Sequence, residues 1–437
     1  MNETPPNIET LRRDAEAGRP GACYNLGVWL LNGDGGEPDP DAARVQFERA
    51  AEQGHAPSHS ALGYLALRGY GGTGDPAEAY AHFDTAARAG FQEAVYRRGE
   101  LRAAGVGTAP DLAAARHDFS AAVDHPQARL QLAYCLEHGL GGPRDPAAAT
   151  ASIVVSARSG DPAGLLALGD RLERGHTLPA DPCAARWCYE ESDRRGCPEA
   201  GASIRSLVCD RPAAPPDLDR LSTPDNELDQ PRPAPALEIL SWAPRVFRFR
   251  HVLDLWERSH LIRLAAPLLR PSQVIQRGSG ANVAAGGRRS GVTRLTAGLK
   301  DAIVANVERR IAGLTFLPAE NGEPIAVLHY GPGDEYRPHF DYFDPEVPGR
   351  DVPLSRGGQR LATFMIYLSA VTGGGQTRFP ETGLTIDPDP GTGLLFFNVH
   401  PDGRLDPASL HAGLPVERGT KWLATRWIRE RRYTGTV

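Results

Sequence analysis

His339 and Asp341 stand one residue apart in the stretch Tyr330-Gly-Pro-Gly-Asp-Glu-Tyr-Arg-Pro-His339-Phe-Asp341-Tyr-Phe343. Alternate side chains of a strand leave the same face, so an imidazole and a carboxylate at i and i+2 can close on one metal ion. The backbone decides whether they do. The same tripeptide, His82-Phe83-Asp84, lies in an Ala-rich helical stretch. There i and i+2 are splayed by about 200°, and the residues read as a solvated helix face.

A third ligand is needed. His411, in Ser409-Leu-His411-Ala-Gly413, is the first choice. His400, in a Pro-Asp-Gly turn, and His329, which faces oppositely to Tyr330 on its strand, remain rivals. Two histidines and a carboxylate occupy one face of an octahedron and leave three positions open, as in non-haem Fe(II) oxygenases. Those positions suit a bidentate 2-oxo acid plus O2, and such a co-substrate needs a cation for its distal carboxylate. Lys421 meets that need. Of 48 basic residues only Lys300 and Lys421 are lysine, so a compact ammonium at 421 reads as chosen rather than incidental. The alternative is a plain surface lysine.

Strands must present these groups. Period-two alternation in Lys421-Trp-Leu-Ala-Thr-Arg-Trp427 puts Lys421, Leu423, Thr425 and Trp427 on one face. Further strand-length runs at 237–242, 246–249, 325–330, 361–368, 384–386 and 394–399 alternate with Gly/Pro turns. Amphipathic helices are expected at about 253–268 and 299–312. Many short strands with helices confined to the front predict an α+β sandwich or barrel.

The first 200 residues repeat instead. Leu26-Gly27, Leu62-Gly63, Arg98-Gly99 and Leu168-Gly169 keep a period near 36, with Leu132-Ala133 filling the remaining slot. Asp39-Pro40, Asp75-Pro76, Asp145-Pro146 and Asp181-Pro182 recur in step, with Pro110-Asp111 as the variant. Asp is expected to cap the second helix of each unit, with Pro in its first turn and a left-handed Gly at its end. Such units stack into an all-α helical solenoid. The pattern resembles Sel1-like repeats, relatives of tetratricopeptide arrays, which implies a concave surface for protein contacts; a structural spacer is the plainer alternative. From Asp210 to Ala236 seven prolines in a polar background predict a semi-rigid linker. The expected domains are therefore 1–209, 210–236 and 237–437.

A length of 437 residues accommodates two or three domains. A net charge of −6 argues against a nucleic-acid footprint, and no apolar run is long enough for a membrane span. The opening Met1-Asn-Glu-Thr-Pro-Pro lacks the features of a signal peptide, so a cytoplasmic protein is expected. All six cysteines precede residue 210 and none form C-x-x-C. They read as small buried residues of a reduced protein, and a thiolate nucleophile in the C-terminal half is excluded.

Residues 237–431 resemble the catalytic domain of prolyl 4-hydroxylases, 2-oxoglutarate- and Fe(II)-dependent dioxygenases with a double-stranded β-helix (jelly-roll) core. The motifs are the Tyr330–Phe343 stretch, Gly357-Gly-Gln-Arg360-x-Ala-Thr363, Gly374-Gly-x-Thr377-x-Phe-Pro380, Phe396-Phe-Asn398, Ser409-Leu-His411-Ala-Gly413 and Gly419-x-Lys421-Trp422 through Arg429. The resemblance implies that His339, Asp341 and His411 bind Fe(II). It implies that Lys421, helped by Tyr330 and Thr377, holds 2-oxoglutarate, and that Arg360, Tyr336 and Trp427 line a peptide groove. O2 is then the second co-substrate and ascorbate the reductant. Two departures bear on substrate choice: Gln376 replaces the usual acidic residue, and Gly278–Arg289, where the family carries a mobile loop, is short and Gly-rich. The expected function is hydroxylation of a prolyl residue in a protein or peptide, with the repeats as recruitment surface. Hydroxylation of another residue or a small molecule is one alternative. An inactive jelly-roll module on a repeat scaffold is the other, and the intact triad with Lys421 argues against it.

Overall fold

A computed structural model describes residues 8–70, 74–122, 125–197, 200–204, 207–271, 273–275, 282–284, 290–346 and 351–435. Most of the Gly278–Arg289 stretch lies outside the described residues. The chain opens with α1 (Ile8–Glu16) and five helical hairpins: α2 (Pro20–Asn32) with α3 (Pro40–Ala51), α4 (Ala56–Arg68) with α5 (Pro76–Arg88), α6 (Gln92–Ala104) with α7 (Leu112–Ala121), α8 (Pro126–His138) with α9 (Pro146–Arg158), and α10 (Pro162–Arg174) with α11 (Pro182–Arg194). Short α12 (Ala200–Ile204) closes the series.

The repeated letters have mechanical causes. Asp39, Asp75, Asp111 and Asp181 accept backbone N–H bonds at the N-termini of α3, α5, α7 and α11. The Leu-Gly glycines permit close helix approach: a Cβ at Gly27, Gly99 or Gly169 would stand 2.6–2.8 Å from the ring of Phe47, Phe119 or Tyr189. Ala133 is tolerated in the fourth hairpin because the residue twenty positions on is Ile153 rather than an aromatic. His82 and Asp84 correct one expectation. They are half-buried rather than plainly solvated, His82 meeting His59 (Nδ1 to Nδ1, 3.1 Å) and Asp84 pairing with Arg88 and Arg98.

The chain divides into two compact units, residues 1–155 with 300–302, and residues 156–299 with 303–437. The last hairpin therefore groups with the β-rich half. In this second unit the Pro-rich segment is strapped down. Leu228 and Asp225 exchange backbone hydrogen bonds with Thr177, Gln230 N–H donates to His176 Nδ1, and Arg232 pairs with Asp254 and Glu257.

The strands are β1 (Ala236–Trp242), β2 (Arg245–Arg250), β3 (Arg270–Pro271), β4 (Gln273–Ile275), β5 (Asn282–Ala284), β6 (Gly291–Arg294), β7 (Ala326–Tyr330) and β8 (Tyr336–His339). They continue as β9 (Arg360–Tyr367), β10 (Gly373–Gly374), β11 (Thr377–Phe379), β12 (Leu384–Ile386), β13 (Gly393–Phe397), β14 (His411–Gly413), β15 (Val416–Arg418) and β16 (Lys421–Arg429). Eight form a large sheet in the order β1-β2-β13-β9-β16-β7-β6-β3, and four form a second sheet, β12-β11-β14-β8. Residues Ala362, Phe364, Ile366, Ala424 and Ile428 of the large sheet pack on α13 (Leu255–Ala265) and α14 (Ala302–Thr315). The opposite face carries Leu328, Tyr330, Met365, Tyr367, Phe396 and Leu423 toward Phe379, Ile386 and Val416 of the small strands. This is the expected jelly-roll layering, and the site lies between its two sheets.

Candidate active site

The small sheet brings the metal-ligand candidates together. β8 ends on His339, and Asp341 follows in a bend rather than on the strand itself. β14 opens on His411, which pairs directly opposite His339 in the antiparallel β8–β14 ladder. Strand register thus closes a sequence gap of some seventy residues.

His339 Nε2 is 3.8 Å from Asp341 Oδ1, and His411 Nε2 is 3.6 Å from Asp341 Oδ2. Each ring meets a backbone carbonyl through its other nitrogen, Nδ1 of His339 at Arg337 O (2.9 Å) and Nδ1 of His411 at Ser409 O (3.0 Å). A carbonyl only accepts, so both Nδ1 atoms carry hydrogen and both Nε2 lone pairs point inward, the tautomer a metal requires. One ligand atom from each of the three residues lies within 4.8 Å of the others, and this is the one such cluster among the described residues. Burial alone would raise the Asp341 pKa. His411, His339, Arg360 and the hydroxyl of Thr363 outweigh it and hold the carboxylate below its usual range. The donor set suits iron(II). His329 lies tilted against Trp422, with ring centroids 4.5 Å apart, and His400 leans toward Asp406 at 3.7 Å, so neither rival reaches the cluster.

A pocket of about 420 Å³ opens beside the three side chains, lined by Tyr330, Tyr336, Thr377, Lys421, Leu423 and Trp427 among others. Lys421, Leu423, Thr425 and Trp427 all face it, as strand alternation predicts. Lys421 is 3% exposed, and its Nζ donates to Gly375 O at 2.6 Å. It also sits 5.6 Å from the ring centroids of Tyr330 and Tyr367. Burial pushes its pKa down to about 8. Among the described residues this buried ammonium meets a carbonyl and aromatic faces but no carboxylate, surroundings that suit one. The donors on this wall fit the distal end of 2-oxoglutarate.

Comparison with known proteins agrees. The sequence profile of the 2OG-Fe(II) oxygenase superfamily matches residues 325–429, and the Sel1 repeat profile matches 20–55, 56–91, 126–150 and 162–192. Probable prolyl 4-hydroxylase 3 of Arabidopsis thaliana is 40% identical over 210 residues, covering 44% of this chain and 71% of the relative. The chain belongs to the prolyl 4-hydroxylase family of 2OG-Fe(II) oxygenases. Probable prolyl 4-hydroxylase 6 of the same plant is 42% identical over 217 residues, covering 44% of this chain and 72% of the relative. A solved viral collagen prolyl hydroxylase from Paramecium Bursaria Chlorella virus-1 is similar at 29% identity and TM-score 0.34, covering 42% of this chain and 94% of that one. This prolyl 4-hydroxylase family member is therefore a dioxygenase using Fe(II), 2-oxoglutarate and O2.

The residues expected to meet a peptide divide. Tyr336 stacks on His339 with ring centroids 3.5 Å apart, and Trp427 lines the pocket wall. Arg360 does not reach the pocket. Its guanidinium forms a bidentate pair with Glu323 (2.7 and 3.0 Å), donates to Asp341 O (3.3 Å) and lies 4.0 Å from the Trp427 ring centroid. Arg429 Nε donates to the same Glu323 at 2.8 Å. Several residues at the site carried no role in the sequence reading. Tyr367 donates to Thr377 Oγ1 (2.8 Å), and Gln359 holds both backbone groups of Phe343 (2.7 and 2.6 Å). Thr363 and Asn398 belong to the same set. Period-two alternation from Thr363 could have flagged Tyr367; Glu323 had no signal.

Proposed function

We propose that this chain hydroxylates a prolyl residue of a protein or peptide. His339, Asp341 and His411 would hold Fe(II), Lys421 with Tyr330 and Thr377 would hold 2-oxoglutarate, and ascorbate would keep the metal reduced. The reading rests on one observation: the triad and a buried lysine with no carboxylate beside it among the described residues line a single pocket. Iron bound there, with 2-oxoglutarate and O2, supplies the oxidation that turns a C–H into C–OH while the co-substrate leaves as succinate and CO2.

The protein's share is orientation and exclusion of water. Two fixed tautomers present lone pairs without reorganisation. The Lys421 ammonium anchors the far carboxylate, so the 2-oxo acid end is directed at the triad. Leu328, Met365 and Leu423 line the pocket and keep its wall dry. Tyr336 and Trp427 flank it with flat aromatic faces that suit a pyrrolidine ring.

The divisions 1–209, 210–236 and 237–437 belong to this reading as recruiting repeats, connector and oxygenase, in a cytoplasmic protein. Binding of a substrate protein along the repeats would raise the effective concentration of its prolines at the pocket. Among the described residues no helix is long and apolar enough to cross a membrane. The test is turnover under isotopically heavy O2 with a panel of proline-containing peptides. Succinate together with one heavy oxygen atom on proline is the expected result. Succinate formation with oxygen mapped to another residue would overturn the assignment of proline.

A further inference from the structure

Thr363 and Asn398 both sit in motifs that carry the family resemblance, yet neither lines the pocket. Both are fully buried at 0% exposure. Thr363 lies on β9, paired with Phe396 of β13 on one side and Trp427 of β16 on the other. Its hydroxyl is 2.7 Å from Asp341 Oδ2, and Asn398 Nδ2 is 3.1 Å from the same hydroxyl oxygen.

The direction of these bonds follows from chemistry. An ionised carboxylate only accepts, so the Thr363 hydroxyl must donate to it. The hydroxyl has then spent its one proton and can only accept from its other neighbour. Asn398 must therefore turn its NH2 toward Thr363, which leaves Oδ1 on the far side, where it has no partner among the described residues. A buried amide oxygen is left unsatisfied so that the amide hydrogen can point at the threonine. Asn398 also reaches the second half of the site. Its backbone carbonyl accepts from Asp406 N–H at 3.0 Å, and Asp406 caps the turn that ends on Ser409, whose carbonyl holds His411 Nδ1.

We infer that Thr363, oriented by Asn398, is a positioning residue that fixes the rotation of the Asp341 carboxylate toward the metal. The inference rests on the reading of His339, Asp341 and His411 as metal ligands. With Oδ2 tied by the hydroxyl, the carboxyl plane cannot turn about Cβ–Cγ, and the ligand geometry is set before metal enters. Glu323, through Arg360, holds only the Asp341 backbone carbonyl, so the side chain's orientation falls to Thr363.

Metal binding to the full-length apo-protein, followed by Co(II) ligand-field absorption, tests this without any substrate. Thr363→Val keeps the shape and removes the donor. It should weaken Co(II) binding about tenfold, the lower end for loss of a residue that orients a ligand, and shift the absorption envelope. Thr363→Ser should restore both affinity and spectrum, which a purely space-filling role does not predict. Asn398→Ala, which frees the hydroxyl to rotate, should give a smaller loss in the same direction and decides the matter if Thr363→Val does not fold. Wild-type affinity and spectrum in whichever of these two variants folds would overturn the relay. Failure of the wild-type chain to bind Co(II) would instead overturn the metal site and the relay with it.

Discussion

His339 and His411 face one another as paired residues of neighbouring antiparallel strands, with ring centroids 4.2 Å apart. Asp341, two residues beyond His339, closes the triangle from the bend. Replacing any one of the three with alanine removes a third of the ligand set. His339→Ala, Asp341→Ala and His411→Ala should each abolish succinate formation, measured with saturating Fe(II) and 2-oxoglutarate. Full turnover in any of them would count against the triad.

Lys421 makes a prediction with a pH signature. Its ammonium is charged below about 8 and increasingly neutral above it. Only the charged form pairs with a carboxylate, so the affinity for 2-oxoglutarate should fall as pH rises through about 8, approaching ~tenfold per pH unit in the limit. Lys421→Met should bind 2-oxoglutarate at least about tenfold more weakly at neutral pH, from loss of a charge-assisted hydrogen bond, and should flatten that pH dependence. The folded value lies below the unfolded one, so the ionised lysine opposes folding at neutral pH. Lys421→Met should therefore melt higher than wild type without ligand. An unchanged KM for 2-oxoglutarate would remove Lys421 from the co-substrate site.

Arg360 tests whether a residue beneath the pocket can act like one inside it. Arg360→Ala leaves Glu323, 4% exposed, with Arg429 as its remaining close donor. The expected loss of stability is about 3–5 kcal/mol, typical of a broken buried pair, read by chemical denaturation. Burial alone would raise the Glu323 pKa, but Arg360, Arg429 and Arg294 hold it below the usual carboxylate range. Its stabilisation is thus present above pH 4.5 and is lost as acid protonates it below that point. Arg360→Ala with wild-type stability and only a raised peptide KM would restore a direct substrate contact.

The repeats can be tested by one glycine. Gly99→Ala would place its Cβ 2.8 Å from the Phe119 ring, and overpacking of this kind costs about 1–3 kcal/mol. Phe119→Ile in the same chain should recover part of that loss, because Ala133 with Ile153 occupies the corresponding slots in the fourth hairpin. Additive losses in the double variant would contradict the proposed contact.

Much of this was legible because its signals are local or periodic. Asp caps recur in all five hairpins and close-approach glycines in four of them, and the alternation of Lys421 to Trp427 survives intact as one face of β16. His411 was singled out by residue type and Lys421 by the scarcity of lysine. What escaped was made by long-range pairing. Thr363, Asn398 and Glu323 meet Asp341 and Arg360 only because β9, β13 and the segment before β7 converge in the folded sheet. A buried threonine gives no periodic signal that separates it from a core residue. Arg360 was assigned to the groove by resemblance, whereas its position follows from a carboxylate thirty-seven residues upstream.

The central claim is a metal held by His339, Asp341 and His411 that chelates a 2-oxo acid anchored at Lys421. Anaerobic addition of 2-oxoglutarate to the Fe(II)-loaded protein tests it most directly, since bidentate chelation produces a visible charge-transfer absorption. The account predicts that band in the wild type, its loss in Asp341→Ala, and its appearance only at raised 2-oxoglutarate in Lys421→Met. A band of equal strength in Asp341→Ala, or none in the wild type, would contradict it.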